Sequence, residues 1–152
     1  MKLILQRVKK ASVSVEDKIC GECGTGFCIL AGLESVDTEA EIQKMAQKIA
    51  TLRVFADENG KMNKSLLDIQ GSILLVSQFT LLADCNTGRR PSFSGAGNPQ
   101  QASALFDMLV KELKQLDIPV QTGIFGADMM VCIENDGPAT FILESKSHAD
   151  RK

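Results

Sequence analysis

The sequence predicts a single α+β domain, largely β, with two main helices packed on a sheet. Three observations carry that expectation. Short alternating or apolar stretches recur between turn-forming residues, which is strand patterning. Two other stretches, after Thr38 and after Asn98, repeat apolar residues at helical spacing behind a recognisable cap. Finally, 152 residues, 44% hydrophobic and 24% charged, suit one core that buries roughly 68–70% of the unfolded chain's surface, and no linker, repeat or low-complexity tract divides them.

Residues 2–8 and 11–16 read as two strands of a hairpin, with Lys9-Lys10 as the polar turn. Gly21, Gly24 and Gly26 punctuate the chain but lack the spacing and following helix of a dinucleotide loop. The apolar run from Phe27 to Leu33 suits a strand buried on both faces. Thr38 and Glu41 form a capping box, followed by the stripe Ile42, Met45, Ala46, Ile49 and Leu52. A strand is expected over 52–55, ended by Asp57-Glu58-Asn59-Gly60.

Residues 72–82 read as the central buried strand, in which Gln78 and Thr80 share a face with Leu74, Val76 and Leu82. Left unpaired, each such polar group costs about 1–3 kcal/mol, so the two satisfy either neighbouring strands or a ligand. Residues 84–98 form a loop of about fifteen residues, a length that usually signals function or disorder. Because it leaves directly from the polar strand, function is the expectation. Asn98-Pro99 is a cap with proline at the first helical position, ahead of the stripe Ala102, Leu105, Phe106, Leu109, Val110, Leu113 and Leu116. Residues 128–144 read as two strands joined by a hairpin turn at Asn135-Asp136-Gly137-Pro138. The domain spans 1–144, and the polar residues 145–152 are expected to be a mobile tail.

A net charge of −2 argues against a broad nonspecific nucleic-acid binder. It leaves room for a local patch, and Arg7 with Lys9 and Lys10, Lys61 with Lys64, and Arg89-Arg90 each read as a solvated face or a phosphate site. No apolar run approaches the ~20 residues of a membrane span. The N-terminal stretch has three consecutive apolar residues, too few for a signal peptide, which predicts a cytoplasmic protein. Five cysteines without an export signal predict reduced thiols. Cys20-Gly-Glu-Cys23 has metal-ligand spacing, but no second pair follows and the single histidine, His148, lies in the polar tail, so no metal or cofactor is expected. His148 is equally a poor base for a serine or cysteine nucleophile, and no carboxylates pair at a catalytic spacing. What remains is a hydroxyl, Ser77 or Thr80, among main-chain amides that could hold an oxyanion but would need a base from elsewhere.

Ser77-Gln78-Phe79-Thr80-Leu81 and Asn135-Asp136-Gly137-Pro138-Ala139-Thr140 resemble the two signature motifs of the D-aminoacyl-tRNA deacylase family. Gln6-Arg7-Val8, Ala11-Ser12-Val13, Gly60-Lys61-Met62-Asn63, Arg90-Pro91-Ser92-Phe93 and Ala127-Asp128-Met129 also look like the family's pattern, in its order. The resemblance implies a β/β/α fold and a homodimer that hydrolyses the ester between a D-amino acid, or glycine, and the 3′-terminal adenosine of tRNA. It implies that Ser77, Gln78, Phe79 and Thr80 carry the adenosine and scissile ester. Gly137-Pro138, with a cis peptide, would enter the partner subunit's active site, supported by Arg7, Asn135 and Thr140. Phe125 and Met129 would line the substrate pocket, although core packing suits both. On the residues alone, Arg7 also reads as a solvated strand-end arginine.

A backbone filter makes physical sense for chirality. Contact gain discriminates one methylene by only about 1–3 kcal/mol, and D and L residues carry identical side chains. A rigid main-chain obstacle excludes the wrong enantiomer by overlap and leaves the D side chain unread. Proline stiffens such a segment, glycine permits close approach, and a cis X–Pro bond, found in only about 5–6% of X–Pro bonds in folded proteins, is a specific structural choice. Two mechanisms stay open: a Thr80 nucleophile, or activation by the tRNA's own 2′-hydroxyl, which the missing base favours. The competing readings are a non-catalytic RNA-binding module with an editing-type fold, the animal-type deacylase that removes certain L-residues, and a small-molecule esterase. Ser-Gln-Phe-Thr at 77–80 fits the D-specific branch, and the esterase lacks its histidine.

Overall fold

The computed structural model describes residues 1–145. Strand β1 (Lys2–Val15) is the axis of a mixed sheet, and it is one strand rather than the expected hairpin. Its first half, Lys2 to Val8, pairs antiparallel with β3 (Gly26–Gly32), and its second, Ala11 to Val15, with β2 (Lys18–Cys23). Lys9 and Lys10 fall where one partner hands over to the next, so they mark a change of neighbour and not a reversal. The reversal comes at Glu16-Asp17, whose φ values of 50° and 64° suit the twist of a two-residue turn. Along the other edge of β1 runs β8 (Met130–Glu144).

Between these elements the chain builds two helices, a minor two-stranded hairpin and two more strands of the main sheet. Helix α1 (Glu39–Thr51) opens on the expected box: Thr38 Oγ1 accepts from the Glu41 amide at 3.2 Å, and the Glu41 carboxylate accepts from the Thr38 amide at 3.1 Å. A minor hairpin, β4 (Phe55–Ala56) and β5 (Met62–Lys64), replaces the strand expected over 52–55. Leu52 instead serves as the C-cap of α1. Strand β6 (Ser72–Ser77) lies parallel to β3 and to β7 (Val120–Thr122). Helix α2 (Pro99–Gln115) is capped by Asn98, whose Oδ1 accepts from the Gln100 amide at 2.8 Å.

The alternation of β3 and β6 divides the core. Phe27, Ile29, Ala31, Ile73 and Leu75 face the two helices, while Cys28, Leu74 and Val76 face a second cluster with Val8, Ala11 and Val13. Both faces of these strands are therefore buried, which is why their sequences are near-continuously apolar. Each buried Phe, Ile, Leu or Val side chain among them contributes about 1.5–3 kcal/mol through burial. The Glu22 amide of β2 donates to Gln121 Oε1 of β7 at 2.9 Å, so the sheet curls almost into a barrel. Its two β layers and one helical layer match the expected α+β, β/β/α arrangement.

The ends of the domain meet in a buried polar cluster. The Met1 ammonium donates to Asp37 Oδ1 at 2.7 Å and to Ser145 Oγ at 2.8 Å. Ser145, expected to begin the mobile tail, is thus buried and held; the rest of that segment, with His148, lies outside the described residues. Among the described residues, no helix is long and apolar enough to cross a membrane.

Candidate active site

The central strand is shorter than its apolar sequence suggests. β6 ends at Ser77, Gln78 turns away with φ −147° and ψ 78°, and Phe79–Leu82 form a 3-10 turn. The alternation that would put Gln78 and Thr80 on one buried face therefore does not apply: Gln78 is half-buried and Thr80 exposed. The two still meet, because the tight turn brings the Gln78 side-chain amide to the Thr80 hydroxyl, to which it donates. Gly32 makes room for this turn, since a Cβ there would lie 3.1 Å from both the Gln78 carbonyl oxygen and Leu81 Cβ. The amides of Phe79 and Thr80, first in the turn, have no acceptor among the described residues.

Below the turn opens a cavity of about 570 Å³, within the range of small-ligand sites. Ser77, at the end of β6, lines it together with Gln78 and Phe79 from the turn, and Phe125 and Met129 line it from the segment between β7 and β8. Two rings that the sequence did not flag for the site complete it. Phe93, from the 84–98 loop, packs against Phe79 with centroids 5.2 Å apart; Phe106, from the apolar stripe of α2, meets Phe125 edge-on at 6.0 Å. Met129 also packs on the second core cluster, as the core-packing reading expects. Asp128 is the one ionisable side chain among the described lining residues. The cysteines lie elsewhere: burial pushes the Cys28 thiol up to about 12 and raises Cys23, leaving both poor thiolates.

The second motif is not a hairpin turn. β8 runs unbroken beside β1, with Thr140 opposite Gln6 and Asn135 opposite Val8, so residues 136–139 bulge out across from Arg7. The Gly137-Pro138 peptide is cis and both residues are exposed. Arg7 is not a solvated strand end. Its Nε donates to the Asp136 carbonyl at 3.0 Å and its Nη1 to the Val54 carbonyl at 2.7 Å. Gly137 has φ +129°, and a Cβ there would lie 2.9 Å from Arg7 Nη2, so both backbone conformation and space call for glycine. Thr140 Oγ1 donates to Gln6 Oε1 at 2.6 Å, and Asn135 keeps the ladder beyond the bulge.

One chain keeps the two motifs apart. The bulge lies level with Arg7, Phe27 and Ile73 on successive strands, three strands over and four residues short of Ser77. With a rise of about 3.3 Å and a strand spacing of about 4.8 Å, that is roughly 19 Å along the sheet.

A family model described as D-Tyr-tRNA(Tyr) deacylase matches residues 4–144. The chain belongs to that family. Relatives named D-aminoacyl-tRNA deacylase include one from Sulfurihydrogenibium sp. (strain YO3AOP1), 54% identical over 94% of this chain and 97% of its own length. Another, from Syntrophomonas wolfei, is 51% identical over 96% and 98%. Among solved structures, that of a c-Myc DNA Unwinding Element Binding Protein superposes with a TM-score of 0.89 at 42% identity, covering 95% of this chain and 99% of that one. A probable eukaryotic D-amino acid tRNA deacylase shares the fold with a TM-score of 0.79 at 19% identity, covering 93% of this chain and 97% of its own. Deacylase family membership thus rests on nearly the whole chain.

Proposed function

We propose that this chain is a cytoplasmic D-aminoacyl-tRNA deacylase that works as a homodimer without metal or cofactor. It hydrolyses the ester joining a D-amino acid, or glycine, to the 3′-terminal adenosine of tRNA and rejects the L ester. The observation that carries the proposal is the family match over residues 4–144; it is supported by the two segments that resemble the family's motifs, one at an aromatic-framed cavity and the other on a braced, exposed bulge.

In this reading the terminal adenosine and ester lie at Ser77 to Thr80. Water adds to the ester carbonyl, and the amides of Phe79 and Thr80 donate to the oxyanion that develops. The tRNA's neighbouring 2′-hydroxyl activates the water; the ribose 3′-oxygen then leaves with a proton and the amino acid is released. Thr80 positions Gln78 rather than attacking. Phe125 and Met129 line the pocket. Gly137-Pro138 of a second copy supplies the main-chain obstacle to an L side chain, with Arg7, Asn135 and Thr140 holding it. A span of roughly 19 Å within one chain supports a filter acting across subunits. So does the free edge of β8, which pairs only with β1 among the described residues and exposes Met130 (67%) and Ile142 (59%).

Purified, chelator-treated protein should cleave D-tyrosyl-tRNA and leave L-tyrosyl-tRNA intact, and should sediment as a dimer at micromolar concentration. Cleavage of both esters would refute the filter, and a monomer would refute its cross-subunit action. A nucleic-acid-binding module without turnover is the second reading, favoured by the 42% identity to a protein named for binding a DNA element. Binding of tRNA with neither ester cleaved would establish it.

A further inference from the structure

Three basic clusters stand out in the sequence, and the structure gives them different surroundings. Arg7 is committed to the Asp136 and Val54 carbonyls. Lys10 lies 3.8 Å from the Glu134 carboxylate, and Lys64 pairs with Glu58 at 2.8 Å. Lys9 and Lys61 are exposed, on β1 and in the β4–β5 turn, and neither lines the cavity. Arg89 and Arg90 are also exposed, and neither has a hydrogen-bond or acidic partner among the described residues. The nearest carboxylate in sequence, Asp84, is occupied, since its Oδ1 accepts the Asn86 amide at 2.9 Å.

Their loop is anchored at the cavity. The Asp84 amide donates to the Ser92 carbonyl at 2.8 Å and the Ser92 amide to the Asp84 carbonyl at 2.9 Å, closing residues 85–91 into a projecting loop. The next residue, Phe93, packs against Phe79 and lines the cavity. Arg90 is therefore within three residues of the rim, about 10 Å of extended chain at most. Two adjacent unneutralised guanidinium groups on a pinned loop suit phosphate oxygens, which their planar forks bind bidentately.

We propose that Arg89 and Arg90 grip the phosphates of the single-stranded tRNA 3′ end that lead into the cavity, just before the terminal nucleotide. The proposal rests on the deacylase reading and deepens it. Such contacts position the strand without reading its bases, so they act on any tRNA and chiefly on KM.

The test compares D-tyrosyl-tRNA with D-tyrosyl-adenosine, which lacks those phosphates, using the whole protein and its Arg89→Ala/Arg90→Ala double variant. The variant should lose roughly 10- to 100-fold in kcat/KM on the tRNA, mostly through KM, and nothing on the nucleoside ester. Its log–log salt dependence should be shallower by about 1.4, from about 0.7 for each single-strand phosphate contact. An Arg89→Lys/Arg90→Lys variant should recover part of the tRNA activity. Equal losses on both substrates would make the loop a structural support of the cavity and overturn the proposal. So would a variant indistinguishable from wild type on the tRNA. Wild-type protein inactive on both substrates would instead refute the deacylase reading itself.

Discussion

The guanidinium of Arg7 holds the main-chain carbonyl of Asp136 at 3.0 Å, the residue that opens the bulge of β8. With its other arm on the Val54 carbonyl, this side chain fastens the bulge to the segment after α1. Both acceptors are main-chain oxygens, so the brace depends on the two-armed shape of the donor as much as on its charge.

Arg7→Ala should therefore loosen the proposed filter. Loss of two charge-assisted hydrogen bonds predicts a fall of roughly 10- to 100-fold in the ratio of D- to L-tyrosyl-tRNA cleavage. Arg7→Lys should restore little, because an ammonium cannot span both carbonyls in one plane. Parallel time courses on the two esters measure the ratio, and an unchanged ratio in the alanine variant would remove Arg7 from the filter.

Thr80→Ala should retain activity within about tenfold of wild type, the scale of one positioned hydrogen bond. Its hydroxyl is exposed and its partner is the Gln78 amide, not a base. Single-turnover deacylation of D-tyrosyl-tRNA tests this; a loss near 10⁴-fold would make Thr80 the nucleophile.

Cys28 predicts an alkaline limit to stability. Burial raises its thiol from 9.0 to about 12, so above pH 9 the unfolded chain ionises while the folded chain keeps its proton. The unfolded state then binds fewer protons and stability falls as pH rises through this window, by up to about 4 kcal/mol. Urea denaturation between pH 8 and 11 should show a steeper decline for wild type than for Cys28→Ala. Parallel curves would remove Cys28 as a source of the alkaline decline.

Local signals were the most legible. Both helix starts follow from residues within one turn of the cap, Thr38 with Glu41 and Asn98 with Pro99. The doubly buried strands followed from their composition. Lys9-Lys10 and Asn135 to Pro138 misled because a change of pairing partner and a bulge use the same residues as a turn. The end of β6 was hidden because Phe79, Leu81 and Leu82 continue the apolar run into the 3-10 turn. At the site, the tertiary fold brings Phe93 and Phe106 to the cavity across segments whose local patterns read as loop and core stripe.

The bulge also bears on solubility. A fifteen-residue edge strand with exposed methionine and isoleucine is a template on which a second extended chain can pair, the first step toward fibrillar aggregation. Pro138 has no amide to offer such a chain, and residues 136–139 leave the plane of the ladder. The edge is thereby cut into two shorter lengths, so it offers no continuous template along its whole run. Straightening the bulge would cost the protein its protection against self-templating as well as its proposed filter.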